Sequence, residues 1–266
     1  MKIKFLLFFV LLAFSELSLA QILVGPTLGP QISWTSFDDK DFRDSYTVKP
    51  VVGFHAGVNL SFRVRKRFFL HSALLYSLKG KIITSDTDPT FQNKVNYSFI
   101  ELPLLYTYEM KGKVGASNRE FKWYLGAGPN ISYWLGGRGT LQGSQLNEAH
   151  LEKVNYKVVF NKDNDYVQED QMNVEEANRF QLGLNLSAGI VFEPARNQKV
   201  MLTLRYEQGH TFLGKNGGGY FPVTNEYTDT MRARNNGFRL SLAYLFDLRT
   251  EERKKGKSTI DRKKPK

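Results

Sequence analysis

Cysteine is absent from the 266 residues. Neither a disulfide framework nor a thiolate metal site can therefore be built. Long apolar runs are also missing. Beyond the first twenty residues no stretch approaches the about 18 uninterrupted apolar residues of a membrane-spanning helix. Histidine is scarce, with four residues, and no His-Glu-x-x-His, P-loop or nucleophile-elbow pattern occurs. Acid is in deficit, with 26 Asp/Glu against 37 Lys/Arg and a net charge of +11. These absences leave alternation as the main signal in the chain.

That signal is strong. Four segments share almost the same five residues: Gly29-Pro30-Gln31-Ile32-Ser33, Gly57-Val58-Asn59-Leu60-Ser61, Gly128-Pro129-Asn130-Ile131-Ser132 and Gly183-Leu184-Asn185-Leu186-Ser187. In an extended strand alternate side chains point to opposite faces. Glycine, amide and hydroxyl then share one face, and an aliphatic residue or proline takes the other. Small polar residues fill a soluble core badly. Placed around a lumen, with the apolar face toward lipid, the same pattern describes a transmembrane β-barrel.

The chain ends set the compartment. A positive start (Lys2, Lys4), an apolar run from Phe5 to Phe14 and small residues at Ser18 and Ala20 predict a secretory signal peptide over residues 1–20. From Arg249 to Lys266 nine Lys/Arg face three Asp/Glu, a net of +6. Residues 249–266 therefore read as a solvated basic tail, not a nucleic-acid surface, which would set cations on a folded face with interleaved aromatics.

Period-two alternation marks eight strands, near residues 25–35, 52–64, 68–79, 97–109, 121–135, 179–192, 200–207 and 237–248. Most reach the about 9–11 residues of a tilted membrane strand. Trp34, Tyr76, Tyr106, Tyr108, Trp123, Tyr133 and Tyr206 collect toward their ends, as an interfacial girdle requires. Short links at 65–67, 110–120 and 193–199 alternate with long ones at 36–51, 80–96, 136–178 and 208–236. That is the outer-membrane arrangement of periplasmic turns and external loops. The expected fold is all-β: an eight-stranded antiparallel up-and-down barrel over residues 21–248 in the cell outer membrane, with both termini in the periplasm. Within the long 136–178 loop, Val154, Tyr156, Val158 and Phe160 suggest an extracellular hairpin with an acidic turn (Asp163, Asp165, Glu169, Asp170).

Three motifs add a family resemblance. Leu74-Leu75-Tyr76-Ser77-Leu78-Lys79-Gly80, Glu101-Leu102-Pro103-Leu104-Leu105 and Tyr124-Leu125-Gly126-Ala127-Gly128-Pro129 occur in this order. Across most of residues 21–248 the chain resembles the PorT-like outer-membrane β-barrel proteins of Bacteroidota. His71-Ser72-Ala73 departs from that pattern, and so does the basic extension after Leu248. Members range from unassigned barrels to one involved in the secretion of gliding and virulence proteins. The resemblance therefore implies a location, and one expectation is a role accessory to protein secretion.

No catalytic, cofactor-binding or metal residue is assigned. His210, beside Thr211 and after Glu207, is the one place where an outer-membrane hydrolase could keep a rim site. A small diffusion channel is the other alternative. Inward positions carry Arg63, Lys79, Glu101, Glu109, Arg179, Arg205, Glu207 and Arg239, and an eight-stranded barrel is just wide enough for side chains to fill. A lumen charge network of Glu101, Arg205, Glu207 and Arg239 is expected, with Glu101 meeting Arg205 across the barrel. The leading expectation is a non-enzymatic interaction or structural protein of the envelope. Its expected partners are outer-membrane lipids, lipopolysaccharide and a periplasmic or envelope protein bound through the tail, with no nucleic acid.

Overall fold

A computed structural model describes residues 22–114, 119–144, 146, 152–195, 197–215, 218–224 and 227–248. The expected signal peptide and basic tail lie outside the described residues. In chain order the elements are β1 (Ile22–Phe37), α1 (Lys40–Ser45), β2 (Tyr46–Lys49), β3 (Val51–Arg63), β4 (Phe68–Ser85), β5 (Gln92–Val114), β6 (Arg119–Gln142) and β7 (Val154–Val159). They continue as β8 (Gln171–Asn173), β9 (Phe180–Ala195), β10 (Gln198–Gly209), β11 (Gly218–Gly219), β12 (Asp229–Thr230) and β13 (Ala233–Asp247). No helix among the described residues is long and apolar enough to cross a membrane.

Eight of these strands close a ring. Antiparallel pairing runs β1–β3–β4–β5–β6–β9–β10–β13 and returns from β13 to β1. Closure leaves no open edge for lipid to satisfy. The outer face is apolar and exposed, as at Leu28 (60%) and Leu184 (52%), whereas Thr27, Gln31, Ser61, Asn130, Ser132, Asn185 and Ser187 are buried in the lumen. The repeats therefore face as their alternation requires. Aromatic pairs mark two belts. Trp34–Phe238, Tyr206–Phe238 and Tyr133–Phe180 lie toward the end with the long connections, and Phe68–Tyr106 and Tyr244–Phe246 toward the end with the short turns.

The repeat glycines have a steric reason. A Cβ at Gly57 would lie 1.9 Å from the carbonyl oxygen of Leu74, and one at Gly128 1.9 Å from that of Leu104. Neighbouring backbones approach this closely because a narrow ring must coil sharply. Gly57→Val and Gly128→Val are each expected to block closure. The check is the heat-dependent gel shift of a folded barrel, which both variants should lose.

Several strands run on above the lipid band, and there the pattern inverts. Ile83, Val95, Tyr97, Phe99, Trp134 and Leu141 face inward and are buried, while Lys94 and Arg138 face outward and are exposed. Polar-in and apolar-out becomes apolar-in and polar-out where water replaces lipid. The connection expected as a loop over 80–96 is therefore mostly strand, and only residues 86–91 turn between β4 and β5. Apolar alternation on the outward side ends where those residues become polar, although the ladder continues from Gly80↔Asn96 to Thr84↔Gln92. β2 extends this wall beside β4, and β7 extends it beside β6.

The hairpin expected within the 136–178 loop is corrected. β7 pairs antiparallel with β6, but β8 lies parallel to β7. The chain crosses over to bury Met172 and Val174 in the cap. Asn173 holds that crossover: its side-chain amide donates to Asn164 Oδ1 at 2.9 Å and to the Asp163 carbonyl at 3.1 Å.

Candidate functional site

The lumen has three levels. At mid-height, inward positions of β4, β5, β10 and β13 place Lys79, Glu101, Glu207 and Arg239 together, all nearly inaccessible. Arg239 forks onto Glu101, with Nη2 donating to Oε1 at 2.8 Å and Nη1 to Oε2, and Nη2 also reaches Glu207 Oε2. Lys79 Nζ lies 2.5 Å from Glu101 Oε1 and 2.5 Å from Glu207 Oε1. The repeat residue Asn130 donates to Glu207 Oε1 at 3.0 Å. Each carboxylate is thus shared between two cations, the geometry a buried charge needs.

Glu101, Glu207 and Arg239 are therefore brought together, but the expected Glu101–Arg205 contact is not made. The oxygens of Glu101 are taken by Arg239 and Lys79. Arg205 sits directly opposite Arg239 in the ladder, is buried, and its Nε has no hydrogen-bond partner. Lys79 was legible as an inward residue, and two carboxylates facing one paired arginine are the sequence signal for a second cation.

Below this belt Phe69 stacks on His71, whose ring meets Tyr124 at a tilt, and Leu23, Val191, Met201, Ala243 and Leu245 pack as a small apolar cluster. His55 Nε2 lies 2.8 Å from Ser241 Oγ. Above it lies the cap, an apolar core of Phe37, Phe42, Tyr97, Phe99, Trp134, Tyr156, Met172, Phe221, Tyr227 and Met231, among others. α1 is held by its Asp39 N-cap, which accepts from Asp41 N at 3.0 Å, so that Phe42 is buried in this core. Lys81 Nζ pairs with Asp229 Oδ1 at 2.6 Å, both fully buried, and Asn93 links Tyr156 to Tyr227. Burial pushes the Asp229 carboxyl up and the Lys81 ammonium down, and their mutual attraction opposes both shifts. Sequence reasoning missed this pair because Asp229 lies deep in a long connection with no periodicity of its own.

The considered His210 site is not assembled. Glu207 points into the lumen and is engaged there, while His210 is exposed and its backbone amide donates to Leu182 O at 2.9 Å. Asp163, Asp165, Glu169 and Asp170 are exposed, and among the described residues no group of three or more His, Asp or Glu could hold a metal.

Residues 15–211 match the family described as outer membrane protein beta-barrel domain. The chain belongs to that family. Its place is the cell outer membrane. The barrel is similar to neisserial surface protein A at 13% identity, covering 86% of this chain and 99% of that one, with a TM-score of 0.39. It is similar to the outer membrane protein OprG from Pseudomonas aeruginosa at 10% identity, covering 85% and 94%, with a TM-score of 0.45. A third is Ail, the attachment invasion locus protein of Yersinia pestis, in complex with the heparin analogue sucrose octasulfate. There identity is 10%, coverage 85% and 99%, and the TM-score 0.35. No curated protein matches the chain.

On this outer-membrane barrel the external face carries a recess of about 180 Å³, lined by Tyr46, Phe91, Leu141, Tyr227, Asp88 and Ser144 among others. Asp88 clasps it. Oδ1 accepts from Thr90 Oγ1 at 2.7 Å and Thr90 N at 2.9 Å, and Oδ2 accepts from Ser144 Oγ at 2.8 Å and Ser144 N at 3.1 Å. Hydrogen bonds from Thr90 and Ser144 hold the carboxyl well below the usual carboxylate range. A depressed folded value means the clasp contributes fully above the ordinary carboxylate pKa and is lost as pH falls through the lower folded one. Amide exchange at Ser144 and Thr90 is therefore expected to keep its protection from pH 8 to pH 5. Asp88→Asn should lose it at both.

Proposed function

We propose that this protein is a non-enzymatic envelope protein that acts by interaction through its external cap and not by passage or chemistry through its lumen. The observation that carries the reading is the filled barrel: the Lys79–Glu101–Glu207–Arg239 belt lies beneath an aromatic core, so accessible surface is confined to the outside. The cap is itself ordered, with its own core and the Asp88 clasp. An ordered external surface presents a fixed epitope with little entropy to lose on binding. The PorT-like assignment is supported by its three motifs falling on the adjacent strands β4, β5 and β6. A place accessory to protein secretion rests on that resemblance alone.

A photo-crosslinking amino acid at Tyr166 or Tyr220, both exposed on the cap, tests this in intact cells. Discrete crosslinked products are expected from these positions, beyond those from the lipid-facing Leu184. Crosslinks no different from those at Leu184 would contradict it.

A further inference from the structure

The wall above the lipid band carries a basic groove on its outer side, lined by Lys94, Asn96, Arg138, Lys153, Asn155 and Lys157 among others, with a volume of about 590 Å³. In register, Arg138 lies between Asn96 of β5 and Lys157 of β7, and Thr140 lies between Lys94 and Asn155. Like charges on directly opposed residues destabilise a sheet, yet Arg138 and Lys157 face each other across this pair. One acid answers them within the groove: Asp170 lies 3.6 Å from Lys157, with both side chains more than half exposed. Arg138 and Lys94 have no acidic partner among the described residues.

The chain takes a specific step to put Arg138 there. The ladder pairs Ser98 with Gly136 but Phe99 with Trp134, so Leu135 is an inserted residue. At this bulge Gly136 adopts φ +151°, a conformation that favours glycine. The insertion reverses the facing of the strand. Trp134 stays inside, Leu135 faces lipid, and Arg138 is turned outward. Without the extra residue, alternation from Trp134 would carry Arg138 into the cap. Arg138 follows Leu135 by three residues, roughly 10 Å along the strand. That is the level of the headgroups, within reach of a long side chain turned down toward them.

We infer that this groove binds the phosphate groups of the phosphorylated glycolipid in the outer leaflet, with the Arg138 guanidinium and the Lys157 ammonium as the principal contacts and Lys94 and Lys153 as flanking charges. An arginine fork suits a phosphate bidentately, and a headgroup phosphate removes the Arg138–Lys157 repulsion. The inference rests on the outer-membrane location and not on the proposed action of the cap.

The test titrates the refolded full chain in detergent with bisphosphorylated lipid A and with the same lipid dephosphorylated, reading bound lipid by native mass spectrometry. The phosphorylated lipid is expected to bind more tightly. Arg138→Gln with Lys157→Gln should weaken it by roughly tenfold, the equivalent of one charge-assisted contact, without affecting the dephosphorylated lipid. Lys40→Gln with Lys49→Gln removes as much charge from exposed positions outside the groove and should change nothing; the heat-dependent gel shift confirms that each variant folds. Equal binding by both charge-reduced variants would overturn the inference. So would competition by soluble pyrophosphate as effective as that by lipid A, which would make the groove a site for free anions.

Discussion

Glu101→Ala is expected to destabilise the barrel by about 3–5 kcal/mol, the usual cost of removing one partner from a buried ion pair. Glu101 answers both Lys79 and Arg239. Its loss leaves Lys79, Arg205 and Arg239 facing Glu207 alone, at positions buried from solvent. Urea titration in lipid vesicles measures the effect, and membrane insertion should survive because the outer face is untouched. Arg205→Met should behave oppositely. Arg205 is buried against Arg239, with its Nε unpartnered. An apolar isostere there is expected to be neutral or stabilising by about 1–4 kcal/mol. Equal losses from both substitutions would mean that Arg205 is a working member of the network.

The second large effect is expected at the cap. Trp134 is fully buried, its ring meeting Tyr97 at 5.0 Å and Phe160 at 4.8 Å, and its Nε1 donates to Gly136 O at 2.9 Å. Trp134→Ala removes the largest side chain of that core and should cost about 3–5 kcal/mol. The loss should fall on the external layer. External protease is then expected to cleave within residues 160–170 in the variant and to spare the unmutated protein, while the heat-dependent gel shift of the barrel persists. Loss of the gel shift as well would show that cap and barrel fold as one cooperative unit.

What could be read from the sequence follows from where lipid imposes its rule. Within the membrane the outward side must be apolar at every second residue, so Leu182, Leu184 and Leu186 announce a strand and Gln181, Asn185 and Ser187 announce a lumen. Above the membrane that constraint ends. Lys94 and Asn96 on the outer side of β5 look like loop residues, and Val95 and Tyr97 between them form the inward set of a reversed pattern. The inserted Leu135 compounds this, because one bulge exchanges the two faces and disguises the continuation of β6 to Gln142. In the charge belt, inward facing identified Glu101, Glu207 and Arg239, but pairing depends on ladder register. Register puts Arg205 opposite Arg239, while Lys79, opposite Tyr97 in the ladder, reaches Glu101 through the length of its side chain. Lys81 and Asp229 meet only after a long connection folds back into the cap, and local spacing carries no trace of that.

The central claim is that the barrel is closed by its mid-height ion belt and its external aromatic core. Single-channel recording of the unmutated protein in planar bilayers tests it most directly. A quiet baseline is predicted across applied voltages of both signs, with no steady conductance steps. Large, steady single-channel currents would contradict the closed lumen and make the protein a diffusion channel.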